Sequence, residues 1–135
     1  MTTFKMTVRP YQCDSYGHVN NARYLEYFEE ARWQLISSSD LDDYLTENNW
    51  GMVVVSILVN YKRPALPKDE LYISAELGEI GNTSFTINQQ INLKSDALIA
   101  TATVKLFVIK LATTRPQPIS EQLKEIFISA VKENI

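Results

Sequence analysis

The chain has 135 residues, a net charge of −3, one Cys (Cys13) and one His (His18). Its length suits a single domain over 1–135 with its own core, and scattered Lys and Arg under a negative net charge argue against a nucleic-acid partner. Lone Cys and His residues exclude an intrachain disulfide and leave little to build a zinc site from. No apolar run is long enough to cross a bilayer, so the expectation is a cytoplasmic protein with no metal and no membrane insertion.

Residues 4–12, "FKMTVRPYQ", read as a short strand, with Pro10 placing it near an edge or a bulge. Asn20 and Asn21 open a helix, because a short polar side chain accepts from the free N–H groups of a first turn. Leu25, Phe28, Ala31 and Leu35 recur at helical spacing, while Tyr24, Tyr27 and Trp33 widen the apolar surface until it nearly surrounds the helix. Such a helix is central and buried. "DLDDYLTENN" then gives a short second helix that ends before Gly51.

From residue 52 the period becomes two. Val53, Val55, Ile57, Val59 and Tyr61 share one face, and Met52, Val54 and Leu58 make the other largely apolar as well. A strand apolar on both faces needs cover on both sides. One helix supplies one cover, so a second subunit is expected to supply the other or to pair along the strand's edge. "RPALPKDE" is a loop, and Leu71, Ile73, Ala75 and Leu77 alternate in the next strand. Gly81–Asn82 marks a hairpin; Phe85, Ile87, Ile91 and Leu93 alternate after it, and a long strand runs from Leu98 to Val108. Past "TTRPQP", Ser120 caps a last helix striped by Leu123, Ile126, Phe127, Ala130 and Val131. The sum is an α+β layer, one long helix lying on a curved antiparallel sheet.

The stretch Asp14, Gly17, His18, Val19, Asn20, Asn21, Tyr24, Tyr27, Phe28, Glu29, Ala31 and Arg32 fills the pattern D-x-x-G-H-V-N-N-x-x-Y-x-x-Y-F-E-x-A-R. "YKRPALPKDELYI", "EIGNTSF" and "RPQPISEQL" follow in order. With these segments the chain resembles the hot-dog fold, and within it the acyl-CoA thioesterases of the 4-hydroxybenzoyl-CoA thioesterase type. The resemblance implies a long central helix wrapped by a five-stranded antiparallel sheet, with a C-terminal helix. It also implies a thioester hydrolase in which Asp14 is nucleophile or general base and the backbone N–H of Asn21 stabilises the thioester oxyanion. No cofactor is implied, since CoA enters as part of the substrate. The family usually carries a second acid two residues before the catalytic one, where this chain has Gln12.

Gly17 lets the loop turn tightly, and His18 either positions that loop or acts in proton transfer. Val19, Asn20 and Tyr24 are expected to line the site, with Arg63 a candidate phosphate contact by residue type. Lys62 and Lys110 are phosphate candidates by residue type. Asn60 and Ser84 are expected to reach the site from a neighbouring subunit, because sites of this family lie between paired subunits, in a homodimer or homotetramer. Cys13, next to Asp14 in an extended segment, is expected to face away from it as a structural thiol. Glu29 and Arg32 are expected to hold the helix. The pantetheine carrier is CoA or an acyl carrier protein. A hydroxyacyl-thioester dehydratase and a non-catalytic acyl-thioester binding module are the competing readings.

Overall fold

The computed structural model describes residues 2–37 and 39–133. In chain order it contains β1 (Thr2–Thr7), α1 (Asn21–Ser37), α2 (Leu41–Asn48), β2 (Trp50–Tyr61), β3 (Glu70–Ile80), β4 (Ser84–Leu93), β5 (Leu98–Lys110) and α3 (Glu121–Glu133). The strands form one antiparallel sheet in the order β1-β3-β4-β5-β2. β2 therefore skips its sequence neighbour β3 and closes the far edge beside β5. The first strand lies earlier than its sequence suggests. It stops at Thr7, and Pro10–Gln12 form a 3-10 turn, because Pro10 has no N–H to give a ladder and Gln12 Oε1 accepts from Arg9 N at 2.9 Å. Both expected helix caps are present: Asn20 Oδ1 accepts from Ala22 N at 2.9 Å, and Ser120 Oγ from Leu123 N at 3.0 Å.

The long helix packs on one face of the sheet. Ile73 and Ala75 of β3, Phe85, Ile87 and Ile91 of β4, and Ala100, Ala102, Val104 and Val108 of β5 all point inward and are buried. Against them lie Tyr24, Tyr27, Phe28, Ala31 and Leu35 of α1, each large side chain contributing about 1.5–3 kcal/mol by leaving water. α3 closes the end of this core, with the Phe127 ring stacked on Phe85 at 4.2 Å between centroids. The long helix is not buried all round, as its composition suggests. Leu25 and Trp33 point outward, with Trp33 56% exposed, because the sheet covers only one side.

Arg32 and Gln89 are the buried polar side chains of this core among the described residues. Arg32 Nη1 donates to Gln89 Oε1 at 3.0 Å, and Gln89 Nε2 donates to the Phe28 carbonyl at 3.1 Å. The pair ties α1 to the middle of β4, the helix-holding role expected of Arg32. Burial pulls the guanidinium's pKa below its usual value, opposed by the nearby Glu29 charge.

β2 departs from a simple two-residue period. A bulge falls between Val54 and Ser56, so one extra residue, Val55, flips the alternation. Met52 and Val54 stand opposite Val108 and Leu106, and Ile57, Val59 and Tyr61 opposite Val104, Ala102 and Ala100. All five thus share the inner face, where the sequence period divides them between two. Val53 and Leu58 lie on the outer face, and Leu58 is 63% exposed.

Candidate active site at the start of the long helix

Residues 13–20 form a loop clamped at both ends. Cys13 and Val19 pair as an isolated bridge, Asp14 N donates to the His18 carbonyl at 2.8 Å, and Asn20 N donates to the Gln12 carbonyl at 3.0 Å. The chain reverses inside this clamp at Gly17, whose φ is +78°. A side chain there would find open space, so backbone conformation is what calls for glycine. Inside the loop, Asp14 Oδ1 accepts from Tyr16 N at 2.9 Å and from His18 N at 3.3 Å. These two bonds fix the carboxylate's direction. Oδ2 keeps no partner among the described residues.

The same loop ends in the first turn of α1, where the cap treats the N–H groups unequally. Asn20 supplies its side chain to Ala22 N and its carbonyl to Arg23 N, at 2.9 Å each. Asn21 N–H is left without an acceptor among the described residues. A free N–H at a helix start carries partial positive charge and suits an anion or a developing oxyanion. The sequence supplies this locally, since one Asn caps and the next presents its backbone.

Asp14, His18, Val19, Asn21, Tyr24 and Arg63 meet around one open cleft. Val19 N donates to the Ala65 carbonyl at 3.0 Å, and Ala65 N donates to Tyr24 Oη at 3.1 Å, which holds the 62–65 segment against the loop. Burial raises the Tyr24 pKa, the Ala65 N–H partly offsetting it, so this hydroxyl stays neutral and serves as an acceptor. Gly17 and Asn20 shape the site rather than line it. Cys13 packs against the core, as expected of a structural thiol.

Three further cleft residues, Tyr61, Lys62 and Pro64, lie in the segment "YKRPALPKDELYI" that carries part of the resemblance. Lys62 is a phosphate candidate by type, but the sequence does not place Tyr61 and Pro64 in the site. Tyr61 Oη donates to the Asn21 carbonyl at 3.3 Å, and its ring meets Tyr24 edge-on at 5.2 Å. Its place at the end of an inward-facing strand row was the available clue. Asn60 and Ser84 are not brought to the cleft of their own chain: Asn60 stands opposite Thr101 on the outer face, and Ser84 opposite Phe107. Lys110 pairs with Trp50 at the other end of β2 from Tyr61, far from the cleft. Among the described residues no three His, Cys, Asp or Glu side chains converge as a metal site would, and no helix is long and apolar enough to cross a membrane.

A family model described as the thioesterase-like superfamily matches residues 8–127. The chain is 38% identical over 129 residues to the long-chain acyl-CoA thioesterase FadM of Escherichia coli, covering 95% of this chain and 98% of that protein. It is 27% identical over 128 residues to the acyl-CoA thioesterase YbgC of Haemophilus influenzae, covering 92% and 93%. The crystal structure of the probable thioesterase YbaW from Escherichia coli superposes with a TM-score of 0.93 at 36% identity, covering 97% of this chain and 99% of that one.

Proposed function

We propose, from the premise that this chain belongs to the thioesterase-like superfamily and has its hot-dog architecture, that it is an acyl-CoA thioesterase acting through Asp14. The observation that carries this reading is the pairing of a free carboxylate oxygen with a free helix-start N–H in one cleft. Hydrolysis of an acyl thioester to an acid and a CoA thiol needs both. Asp14 Oδ2 either attacks the carbonyl carbon, giving a mixed anhydride and CoA thiolate, or takes a proton from the water that attacks. In both routes the negative charge moves onto the thioester oxygen, and Asn21 N–H is the donor aimed to receive it. One such donor is worth roughly 10²–10³ in kcat. His18 positions the loop through its backbone contacts with Asp14. Lys62 and Arg63 at the cleft rim supply charge for the CoA phosphates. This chemistry uses neither metal nor cofactor beyond the CoA of the substrate, and the free thiol of Cys13 suits a cytoplasmic setting.

The test is thiol release from a panel of short-chain, long-chain and aromatic acyl-CoAs. Release is expected. Release from acyl carrier protein thioesters alone would move the carrier assignment, and an enoyl product with its thioester intact would identify a dehydratase. No turnover of any of these would leave a binding module.

We also infer that the working form is a homo-oligomer, a homodimer or a homotetramer, built on β2. That strand has an unpaired edge and exposes Val53, Val55 and Leu58, an arrangement that monomers avoid. Such an assembly is also what Asn60 and Ser84 would need to approach a second copy's cleft. Leu58→Lys is expected to convert the assembly to monomer in sedimentation velocity at micromolar concentration. A wild-type monomer under those conditions would overturn the inference.

A further inference from the structure

The fold uses only half of the Tyr24 hydroxyl. The side chain is 3% exposed, and its oxygen accepts from Ala65 N at 3.1 Å. A phenol also has a proton to donate, and that proton meets no acceptor among the described residues. Neither neighbouring hydroxyl takes it: Tyr61 Oη bonds to the Asn21 carbonyl, and Tyr27 Oη has no partner among the described residues. Burial raises the Tyr24 pKa, so the proton stays on. Leaving a buried donor unused is unfavourable, and this side chain borders the cleft that holds Asp14 and Asn21.

The hydroxyl lies beside the start of the helix. Tyr24 follows Asn21 by three residues, so the two share a face of α1, and helical side chains lean back toward the N-terminus. Ala65 marks the level reached. Its N–H meets Tyr24 Oη, while its carbonyl accepts from Val19 N at 3.0 Å, and Val19 stands two residues before the helix begins. The Tyr61 ring, edge-on at 5.2 Å, steadies the phenol from the strand side. The cleft thus sorts its unused polar groups by kind. Asn21 N–H and Tyr24 O–H are donors at the helix start, and Asp14 Oδ2 is an acceptor. Donors suit the atom that gains negative charge, which is the thioester oxygen. Set against the attacking water, a donor would instead tie up the lone pair that must bond to carbon.

We propose that the Tyr24 hydroxyl is a second oxyanion donor, joining Asn21 N–H at the thioester oxygen as the tetrahedral intermediate forms. This assignment rests on the thioesterase reading and adds to it a side chain from outside the loop that carries Asp14. Ala65 N–H directs the hydroxyl by occupying a lone pair, which turns the proton away from the 62–65 segment. Tyr24 lends a hydrogen bond and gives up no proton. The electron pair held on the oxygen returns to the carbonyl when the CoA thiolate leaves.

Tyr24→Phe removes the hydroxyl and keeps the ring. With a long-chain acyl-CoA its kcat is expected to fall about 10²-fold while KM stays close to the wild-type value, the pattern of an interaction made only in the transition state. A hydroxyl that merely held the fold would behave otherwise. Its loss would loosen the segment bearing Lys62 and Arg63, raise KM and weaken binding of an alkyl-CoA thioether, which has no carbonyl oxygen. Calorimetry with that thioether is therefore expected to give the same affinity for wild type and variant. An unchanged kcat, or a fall matched by an equal loss of thioether affinity, overturns the proposal. Should the variant not fold, a crystal structure of the wild type with a CoA trifluoromethyl ketone decides, because the hydrate of that ketone mimics the tetrahedral intermediate. Tyr24 Oη is expected about 2.5–3.0 Å from an oxygen of the tetrahedral carbon, and a separation beyond about 3.5 Å overturns the assignment. Absence of acyl-CoA hydrolysis by the wild type would sink the thioesterase reading as a whole, whereas wild-type turnover with an indifferent Tyr24→Phe sinks this assignment alone.

Discussion

Asp14→Asn is expected to lower kcat for acyl-CoA hydrolysis by about 10²–10⁴-fold, the range for loss of a positioned base or nucleophile, with little change in stability. The substitution suits the local geometry. An Asn side-chain oxygen can still accept from Tyr16 N and His18 N as Asp14 Oδ1 does, so the loop keeps its shape and Asn21 N–H stays where it is. What disappears is the anionic second oxygen that has no other partner. Thiol release with a long-chain acyl-CoA reads the loss, and thermal melting shows that the fold has survived. A folded Asp14→Asn protein that hydrolyses at the wild-type rate would remove Asp14 from the mechanism and leave the carboxylate as a turn cap.

The largest effect on stability is expected at the other end of the molecule. Phe127 has no exposure and stacks on Phe85 with an angle of 14° between the rings. Through it, together with Leu123, Ala130 and Val131, α3 docks on the core. Phe127→Ala removes the ring and leaves a cavity that the rigid sheet beneath cannot close, at a cost of about 3–5 kcal/mol. For a domain of this size that corresponds to a fall in Tm of roughly 10–20 °C. Urea unfolding followed by circular dichroism measures it. A cost below about 1 kcal/mol would mean that α3 contributes little to the cooperative unit. Butyryl-CoA turnover should be unchanged at temperatures where the variant is folded, since Phe127 does not line the cleft at the start of α1.

Much of this was legible in the sequence because its signals are local. Alternation in β3, β4 and β5 assigns their inner faces, and the Asn20–Asn21 pair marks the helix start. Asp14, Gly17, His18 and Asn21 lie within eight positions, so one contiguous motif carries the centre of the candidate site. Other features depend on partners distant in the chain. Nothing in β2 says that it pairs with β5 instead of β3, and the flip at Val55 follows from register against that partner. Gln89 looks like a polar interruption in an apolar row until Arg32, 57 positions earlier, is seen to reach it. Tyr61 and Pro64 reach the cleft because Tyr24 and Ala65 hold their segment against the loop, a contact between stretches some forty positions apart. The outward Leu25 and Trp33 show the same limit. Composition counts apolar groups around a helix but does not say how many sides are covered.

The pairing of β2 with β5 also orders events during synthesis. β5 starts at residue 98 and β2 ends at residue 61, so 37 positions separate them (98 − 61). At ~5–20 residues per second the ribosome needs roughly 2–7 s to make that stretch. β5 follows β2 out of the ribosome by the same interval, so the apolar strand Trp50–Tyr61, once exposed, has no ladder to join until β5 appears. An apolar strand therefore waits for its place while two further strands, β3 and β4, are made.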